Sequence, residues 1–265
     1  NNASPSHENP RNFVRNGEKV GEIEGFSCQI IIDEALEWLK NRKEDNPYYL
    51  QVCFHEPHEP VASPHSLVQK YLPFAENEDQ AQYFANVENV DLACGRLIDY
   101  LEKNNENNTL IIFTSDNGPE TLLRYERAKR SYGSPGDLRG MKLWTHDAGF
   151  KVPGIIYWMG ATGFRGTSDA VVSSLDFLPT FIELAAADLP EKPLDGESFK
   201  TLLINGEFER STPLLWSFYN ALNDHVVAMR DGEWKIMCKL KNDTSCLPKI
   251  QNIYVTINIF LKNNR

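Results

Sequence analysis

The alternation of apolar and polar positions predicts that helices and strands alternate along most of the chain. A short apolar run between polar turns is typical of a buried strand, whereas apolar residues recurring every three or four positions are typical of a helix. These patterns predict strands at residues 48–54, 110–114, 152–158 and 214–219, and helices at residues 27–42, 63–71, 79–104 and 176–187.

Two of the predicted helices have enough apolar residues on one side to define a buried face. Ser27 is the expected N-cap of the first, and Ser63-Pro64 is expected to start the short helix. The expected faces are Ile31, Ile32, Ala35, Trp38 and Leu39 in the helix at 27–42, and Phe84, Val87, Val90, Cys94, Leu97 and Leu101 in the helix at 79–104.

The order of these elements predicts an α/β fold. A strand at 48–54, a helix at 79–104 and a strand at 110–114 follow one another, and a crossover between parallel strands is right-handed. We therefore expect a mixed, largely parallel sheet flanked by helices. The ends of both strands should then lie at the same edge of the sheet.

A small antiparallel region is expected near the C-terminus. Asp231-Gly232 lies between two apolar arms within residues 225–237, which is a hairpin pattern. We predict that residues 1–212 belong to the main domain and that residues 213–265 form a small antiparallel subdomain, itself truncated. Residues 1–25 are polar, and we expect them to form a loop.

The charge of the chain argues against two classes of partner. Its 265 residues carry a formal net charge of −10, whereas nucleic acids and anionic membranes bind basic surfaces. No apolar run is long enough to span a membrane, and no targeting segment is visible. Because the first residue is Asn, we expect the sequence to begin inside a longer protein.

The cysteines do not form a metal-binding pattern. None of the five stands in a C-x-x-C pair. Cys28, Cys53 and Cys94 lie in apolar segments and are expected to be small buried residues, whereas Cys238 and Cys246 flank a polar loop and are able to pair in an oxidising compartment. Sequons at Asn2, Asn107 and Asn242 are compatible with secretion.

The first candidate chemistry follows the strand at 110–114. Ligands of open α/β sheets bind beyond the carboxyl ends of strands, and Ser-Asp-Asn-Gly stands there at residues 115–118. Asp116 and Asn117 offer two hard oxygen donors of the kind that Ca²⁺ or Mg²⁺ prefers, and Gly118 allows the backbone to turn. The same four residues also suit an ordinary turn.

The second candidate group follows the predicted strand at 48–54. The segment His-Glu-Pro-His-Glu-Pro, residues 55–60, places two imidazoles and two carboxylates in six positions. Prolines hold such a segment extended, and a histidine beside a carboxylate is suited to acid-base chemistry. An exposed loop is the alternative. The shared sheet edge is expected to bring His58 towards Asp116, and His55 and Glu56 are candidate substrate-binding residues.

One region departs from the acidic balance of the chain. From Arg124 to Lys142, six basic side chains stand against two acidic ones, directly after residues 115–118. This excess of positive charge favours an anionic substrate, and a solvated charged loop is the alternative. Arg124 and Arg139 are the candidate substrate-binding residues here, and the loop at 120–137 is the candidate for substrate choice.

Five segments together resemble the sulfatase family, the formylglycine-dependent enzymes of the alkaline-phosphatase-like superfamily. Their order and spacing are those of the family, and they are most similar to its arylsulfatase and N-acetylgalactosamine-6-sulfatase members. The segments are YYLQVCFHEPHEP, TLIIFTSDNGPE, LRGMKLWTHDAGFKVPGIIYW, DFLPTFIELA and AMRDGEWKI.

The resemblance implies roles for four residues. It places Asp116 and Asn117 on one active-site Ca²⁺, and it places His58 and Lys142 in contact with the sulfate ester. Ca²⁺ and a fixed lysine would stabilise charge on the sulfate oxygens, while His58 would donate a proton. Asp147 stands where the family often has Glu, and Lys151 stands where it often has Arg.

The resemblance also implies a nucleophile that this sequence lacks. The family converts a cysteine or serine in a C-x-P-S-R type motif into formylglycine, and none of the five cysteines is followed by that pattern. Ala3 to His7 (ASPSH) is only a superficial echo of it. We therefore expect the C-terminal part of a secreted, periplasmic or lysosomal sulfatase that acts on a sulfated carbohydrate and is inactive as this chain alone.

Two alternatives remain open at this point. A metal-dependent phosphatase or phosphodiesterase of the same superfamily would use more Asp and His ligands for two transition metals. A non-catalytic module that binds sulfated glycans would carry a degenerate nucleophile motif.

Overall fold

The computed structural model describes residues 3–42, 46–121 and 126–239. The chain divides into two compact units. The first unit comprises Asn1–Asn107 and Glu120–Ser134, and the second comprises Asn108–Pro119 and Pro135–Arg265. The candidate residues are therefore distributed between two bodies, with His58 in the first and Asp116 in the second.

The first unit is mainly helical. Its elements are strands β1 (Phe13–Arg15) and β2 (Glu18–Gly21), helices α1 (Ser27–Asn41), α2 (His65–Tyr71) and α3 (Glu78–Lys103), and 3₁₀ turns at Leu72–Phe74 and Glu126–Ala128. Strands β1 and β2 form an antiparallel hairpin, where the sequence analysis expected only a loop.

The core of the first unit lies between its helices. Cys28 and Ile32 of α1 pack with Ala93 of α3 in one fully buried cluster, and Val68 of α2 packs with alanines of α3 in another. The small residues allow the helix axes to approach closely. Burial is the main cause that raises the pKa of the Cys28 thiol, as expected for an inert buried cysteine.

The helices at 27–42, 63–71 and 79–104 are confirmed, but their buried faces are only partly those predicted. Trp38 is 45% exposed and Val87 is 47% exposed. Alanines of α3 occupy the contact instead, since apolar spacing favours large residues whereas close helix packing favours small ones. Ser27 is the first residue of α1 and Phe26 precedes it as N-cap, so the predicted capping role of Ser27 is wrong.

Residues 48–54 do not form the predicted strand. They belong to no helix or strand, and only their alternate side chains are partly buried. Val52 and Phe54 pack against the cluster of Cys28, Ile32 and Ala93. Within the described residues no strand is hydrogen-bonded to this segment, and an apolar run without a neighbouring strand has no ladder to join.

The second unit carries most of the strands. Its elements are β3 (Leu110–Thr114), α4 (Asp147–Phe150), β4 (Gly154–Trp158), α5 (Phe177–Leu184), α6 (Lys200–Asn205), β5 (Leu214–Ser217), β6 (Val227–Asp231) and β7 (Trp234–Cys238), with a 3₁₀ turn at Ser174–Asp176 before α5. Helix α6 has six residues and was not predicted from the apolar pattern.

The strand pairs that the structure describes in the second unit are all antiparallel. Strand β3 pairs with β4, and β5, β6 and β7 form a three-stranded sheet in that order. The mixed α/β class is therefore observed, but the largely parallel sheet is not confirmed. Residues Gly232 and Glu233 form the β6–β7 turn, because Asp231 pairs with Trp234; the turn was predicted one residue earlier.

A few sequence features lie outside the described residues. Cys246 is among residues 240–265, so its pairing with Cys238 stays a prediction. The sequons at Asn2 and Asn242 also lie outside. Among the helices in the described ranges, none is long and apolar enough to cross a membrane.

Asp176 organises the loops of the second unit beside α5. Its side chain is fully buried and accepts backbone N–H groups from Ser173 at 2.6 Å and Glu197 at 2.9 Å. It also pairs with Arg210, whose side chain is 8% exposed. Burial alone would raise the pKa of Glu197, but hydrogen bonds from Ser211 and Thr212 lower it to about 2.

Asp176→Ala is expected to lower the free energy of unfolding by about 3–5 kcal/mol, since Arg210 would remain buried without its closest counter-charge. Urea unfolding followed by tryptophan fluorescence measures this change. Asp224→Asn is the control, because Asp224 pairs with Lys239 at 3.0 Å on the surface, with its side chain 76% exposed. Equal shifts of the two midpoints would contradict the assignment.

Candidate functional site

The end of β3 in the second unit presents the two predicted metal ligands. Asp116 is exposed and Asn117 is half-buried. Ser115 Oγ donates to the Asn117 carbonyl at 3.0 Å, and Asn117 Nδ2 donates to the Gly118 carbonyl at 2.9 Å. These bonds hold the turn and use the Asn117 amide nitrogen, so its oxygen Oδ1 is the donor atom suited to a cation.

Gly118 brings this turn against the segment that contains Lys142. The Gly118 N–H donates to Gly149 O at 3.0 Å, and the Lys142 N–H donates to Pro119 O at 2.9 Å. A Cβ atom at Gly118 would lie 1.6 Å from the Ala148 carbonyl oxygen, so only glycine permits this approach. The second unit thus brings Asp116, Asn117 and Lys142 together on adjoining loops.

The donor set fits part of a calcium site. Carboxylate and amide oxygens are the ligands that Ca²⁺ prefers, and the ion takes six to eight of them. Asp116 and Asn117 supply two such side chains. In the described ranges, no three His, Cys, Asp or Glu side chains are grouped so that they could hold a metal ion. These two residues are therefore compatible with Ca²⁺ but do not complete its coordination.

A polar layer supports the Lys142 loop. Lys235 Nζ pairs with Asp147 Oδ1 at 2.6 Å and lies 4.4 Å from the centre of the Phe150 ring. Thr145 N donates to Asn223 Oδ1 at 2.9 Å. Burial is the main cause that lowers the pKa of Lys235. These contacts tie α4 and the loop before it to strand β7 and to the loop before β6.

His146 is buried within this layer. Its ring lies 5.5 Å from that of Trp144 and 6.5 Å from that of His225. Burial lowers the pKa of His146 to about 4, and the charges of Arg139 and Lys235 lower it as well. His146 is therefore neutral near pH 7.

The first unit holds the other predicted residues on the loop at 55–60. His58 Nδ1 lies 3.1 Å from the Glu59 carbonyl oxygen and 3.5 Å from Glu59 Oε2. The ring of His55 lies 5.2 Å from the ring of Phe13. Glu56 is buried, and its Oε1 accepts the Ser27 hydroxyl and the Cys28 N–H, the latter at 2.8 Å. The Glu56 carboxylate is thus directed at the start of α1.

His7 lies beneath the same loop. Its side chain is fully buried, and Asn86 Nδ2 lies 3.1 Å from His7 Nδ1. The His7 N–H donates to Pro60 O at 3.2 Å, and the His7 carbonyl accepts the Ser27 N–H at 2.8 Å. Burial lowers the pKa of His7 to about 4, against the raising effect of Glu56. His7 therefore joins the loop to α1 and α3 as a neutral ring.

The basic side chains between residues 124 and 142 differ in their surroundings. Arg130 donates to Asp79 at 2.8 Å and to the Val61 carbonyl at 2.6 Å, so it has a structural role within the first unit. Arg139 is exposed in the second unit, and its carbonyl accepts the Ala148 N–H at 3.0 Å. Arg124 lies outside the described residues. The substrate-binding roles of Arg124, Arg139, His55 and Glu56 stay predictions.

Comparison with known proteins identifies the family. The family profile described as Sulfatase matches residues 2–187 of this chain. The chain belongs to the sulfatase family. A second profile, described as N-sulphoglucosamine sulphohydrolase, C-terminal, matches residues 141–246. The resemblance drawn from the sequence motifs is therefore confirmed.

The sulfatase relatives extend beyond the length of this chain. Human arylsulfatase A is 33% identical over 196 residues, which cover 73% of this chain and 36% of that protein. Human N-acetylgalactosamine-6-sulfatase is 26% identical over 190 residues, which cover 71% of this chain and 34% of that protein. The chain thus spans about a third of the length of these curated relatives.

A solved structure has a fold similar to that of this chain. Ps i-CgsB in complex with k-i-k-neocarrahexaose matches with a TM-score of 0.70 and 27% identity, over 85% of this chain and 48% of that chain. The agreement supports the alkaline-phosphatase-like fold class that the motifs implied.

Sequence reasoning missed three residues around the sulfatase motifs. Glu59 was noted within the loop at 55–60 but received no role, although it is the residue that contacts His58. His7 and His146 were not singled out. Their burial depends on contacts distant along the chain, so no local pattern could have found them.

The free energy of unfolding is expected to fall by about 1–3 kcal/mol as the pH falls from 6.5 towards 4. In that range the unfolded chain protonates His146 while the folded chain, with its pKa lowered to about 4, does not. Stability from this residue is complete above pH 6.5. Urea midpoints measured across this range test the prediction.

His146→Gln should weaken that dependence, and the part that remains belongs to the other groups with a lowered pKa, among them His7 and Glu197. His65→Gln is the control, since His65 is exposed on α2. An unchanged slope in His146→Gln would show that His146 is not the group involved.

Proposed function

We propose that the whole protein hydrolyses sulfate esters, with a sulfated carbohydrate as substrate. The observation that carries this proposal is the hydrogen-bonded pair of loops that holds Asp116, Asn117 and Lys142 together in a chain of the sulfatase family. Support for the substrate class comes from Ps i-CgsB, which was solved with an oligosaccharide, and from the cationic Lys142 beside two oxygen donors.

Each residue has a physical role in this proposal. Asp116 and Asn117 hold Ca²⁺ through their side-chain oxygens, and the bound ion supplies charge neutralisation at the sulfate. Lys142 adds a fixed positive charge where negative charge develops on the sulfate oxygens. His58 donates a proton to the bridging ester oxygen. Arg139 and Arg124 attract the anionic substrate, and His55 lines the sugar side, while the buried Glu56 holds this loop to the start of α1.

The nucleophile has no match in this chain. None of the five cysteines lies in a C-x-P-S-R type motif, so no step is assigned here to formylglycine. We propose that a Ca²⁺-supported formylglycine mechanism operates in a protein of which this chain is one part. Its remaining calcium ligands, and the strands that would complete a largely parallel sheet, then come from other parts of that protein.

The location and the domain boundary belong to the same proposal. A secreted, periplasmic or lysosomal protein fits a substrate among extracellular or degraded glycans. The boundary between residues 212 and 213 separates the catalytic domain from the antiparallel subdomain built on β5, β6 and β7. Two competing functions are those of a metal-dependent phosphatase and of a non-catalytic glycan-binding protein.

Asp116→Ala in the whole protein is expected to abolish sulfatase turnover and to weaken Ca²⁺ binding at least about tenfold, since a charged ligand is lost. Isothermal titration with Ca²⁺ and release of sulfate from a sulfated oligosaccharide measure the two effects. Asp188→Ala, at an exposed carboxylate of the second unit, is the control. Phosphate release without sulfate release from wild type would favour the phosphatase.

Lys142→Met should lower kcat by about 100- to 1000-fold with a smaller effect on KM, because the lysine acts on charge that develops in the transition state. Steady-state kinetics with a sulfated sugar and an aryl sulfate measure it. Lys192→Met, at an exposed lysine of the second unit, is the matched control. Glycan binding without turnover by wild type would favour the non-catalytic module.

A further inference from the structure

Glu59 is a charged residue in a buried position. It is only 4% exposed, and a carboxylate is seldom buried unless it is paired. It follows His58 directly in the loop at 55–60. The proposed hydrolysis of sulfate esters has given Glu59 no role.

Two oxygen atoms of Glu59 lie near one nitrogen of His58. The Glu59 carbonyl oxygen lies 3.1 Å from His58 Nδ1, and Glu59 Oε2 lies 3.5 Å from the same atom. Both groups are acceptors, so the proton belongs on Nδ1. The other nitrogen, Nε2, is then the atom that exchanges a proton with a substrate, as for histidines oriented by a carboxylate.

The loop that carries this pair is held in place from several sides. The His58 N–H donates to His55 O at 3.0 Å, and the buried His7 donates its backbone N–H to Pro60 O at 3.2 Å. Burial and then the charge of Glu59 raise the pKa of Tyr83 of α3. The two backbone hydrogen bonds hold the loop that carries His58 and Glu59.

We propose that Glu59 is a positioning residue that keeps the proton of His58 on Nδ1 and balances the charge of the doubly protonated ring. This inference rests on the proposed sulfatase function. As the bond between sulfur and the bridging oxygen breaks, that oxygen takes the bonding electron pair and the proton of His58 Nε2, and leaves as an alcohol. An oxygen nucleophile supplies the new bond to sulfur, and His58 remains neutral with its proton on Nδ1.

The kinetic test uses Glu59→Gln in the whole protein. A sugar alcohol is a poor leaving group that needs the proton, whereas 4-nitrophenolate leaves without it. We expect kcat for a sugar sulfate to fall about 10- to 100-fold more than kcat for 4-nitrophenyl sulfate. A purely structural defect would lower both rates equally, and that result would overturn the proposal.

Two further variants make this test specific. Glu59→Asp keeps the charge and should restore part of the difference between the two substrates. Glu102→Gln, at an exposed glutamate of α3, should leave both rates unchanged. Failure of Glu59→Asp to restore any of the difference would count against a charge effect.

A spectroscopic test separates this inference from the proposed function. Histidine ¹⁵N NMR of the whole protein, with the His58 signals assigned by His58→Gln, should show the Nδ1–H tautomer in wild type and a shifted Nδ1 signal in Glu59→Gln, where the backbone carbonyl still accepts from Nδ1 but the carboxylate is gone. This measurement does not require turnover. If Glu59→Gln does not fold, the wild-type spectrum alone still shows the tautomer of His58. Wild-type protein without sulfatase activity would defeat the proposed function alone, whereas an Nε2–H tautomer of His58 in wild type would overturn the role of Glu59.

Discussion

The close approach of Gly118 to the backbone at Ala148 and Gly149 is the constraint on which the candidate site in the second unit depends. A hydrogen bond of 3.0 Å joins Gly118 to Gly149, and a methyl group at residue 118 would collide with the Ala148 carbonyl oxygen. This contact sets the distance between the turn after β3 and the loop that carries Lys142. The candidate calcium ligand Asp116 and the candidate cation Lys142 therefore lie on loops joined by backbone hydrogen bonds, although 26 positions separate them in the sequence.

Buried carboxylates recur as organising groups in both units, and two of them accept backbone N–H groups. Glu56 accepts the Cys28 N–H at the start of α1, and Asp176 accepts two backbone N–H groups beside α5. Glu59 instead faces the ring of His58. Burial strengthens such contacts because few water molecules compete for the carboxylate. Glu56 and Asp176 therefore hold the backbone, whereas Glu59 contacts a side chain with a proposed chemical role.

Much of the helical structure was predictable because apolar spacing is a local property. The helix Glu78–Lys103 was predicted to within one residue at each end, and strand Leu110–Thr114 was also found. The hairpin at Phe13–Gly21 was missed although Asn16-Gly17, both with positive φ, is a strong local turn pattern. The prediction of a strand at 48–54 was wrong for a different reason. A strand also requires a neighbouring strand, which the local sequence does not reveal.

The candidate site residues divide in the same way, into those that local sequence patterns indicate and those that only long-range contacts reveal. Asp116 and Asn117 were predicted from residue type and position, and Lys142 from the family resemblance; two backbone hydrogen bonds bring their loops together. The motif also drew attention to His58, but the partner that orients it was assigned only from the 3.1 Å and 3.5 Å distances to Glu59. The burial of His7 and His146 arises from contacts far along the chain, which residue patterns do not encode.

The contacts between α4 and the sheet of β5, β6 and β7 limit how this protein can be recombined with its relatives. Phe150 stacks on Trp216 with ring centres 4.0 Å apart, and Asp147 pairs with Lys235 of β7 at 2.6 Å. A chimera that exchanged the sheet alone would separate both pairs and bring unmatched residues under the Lys142 loop. The smallest transferable module in this region is therefore the sheet together with Asp147–Phe150.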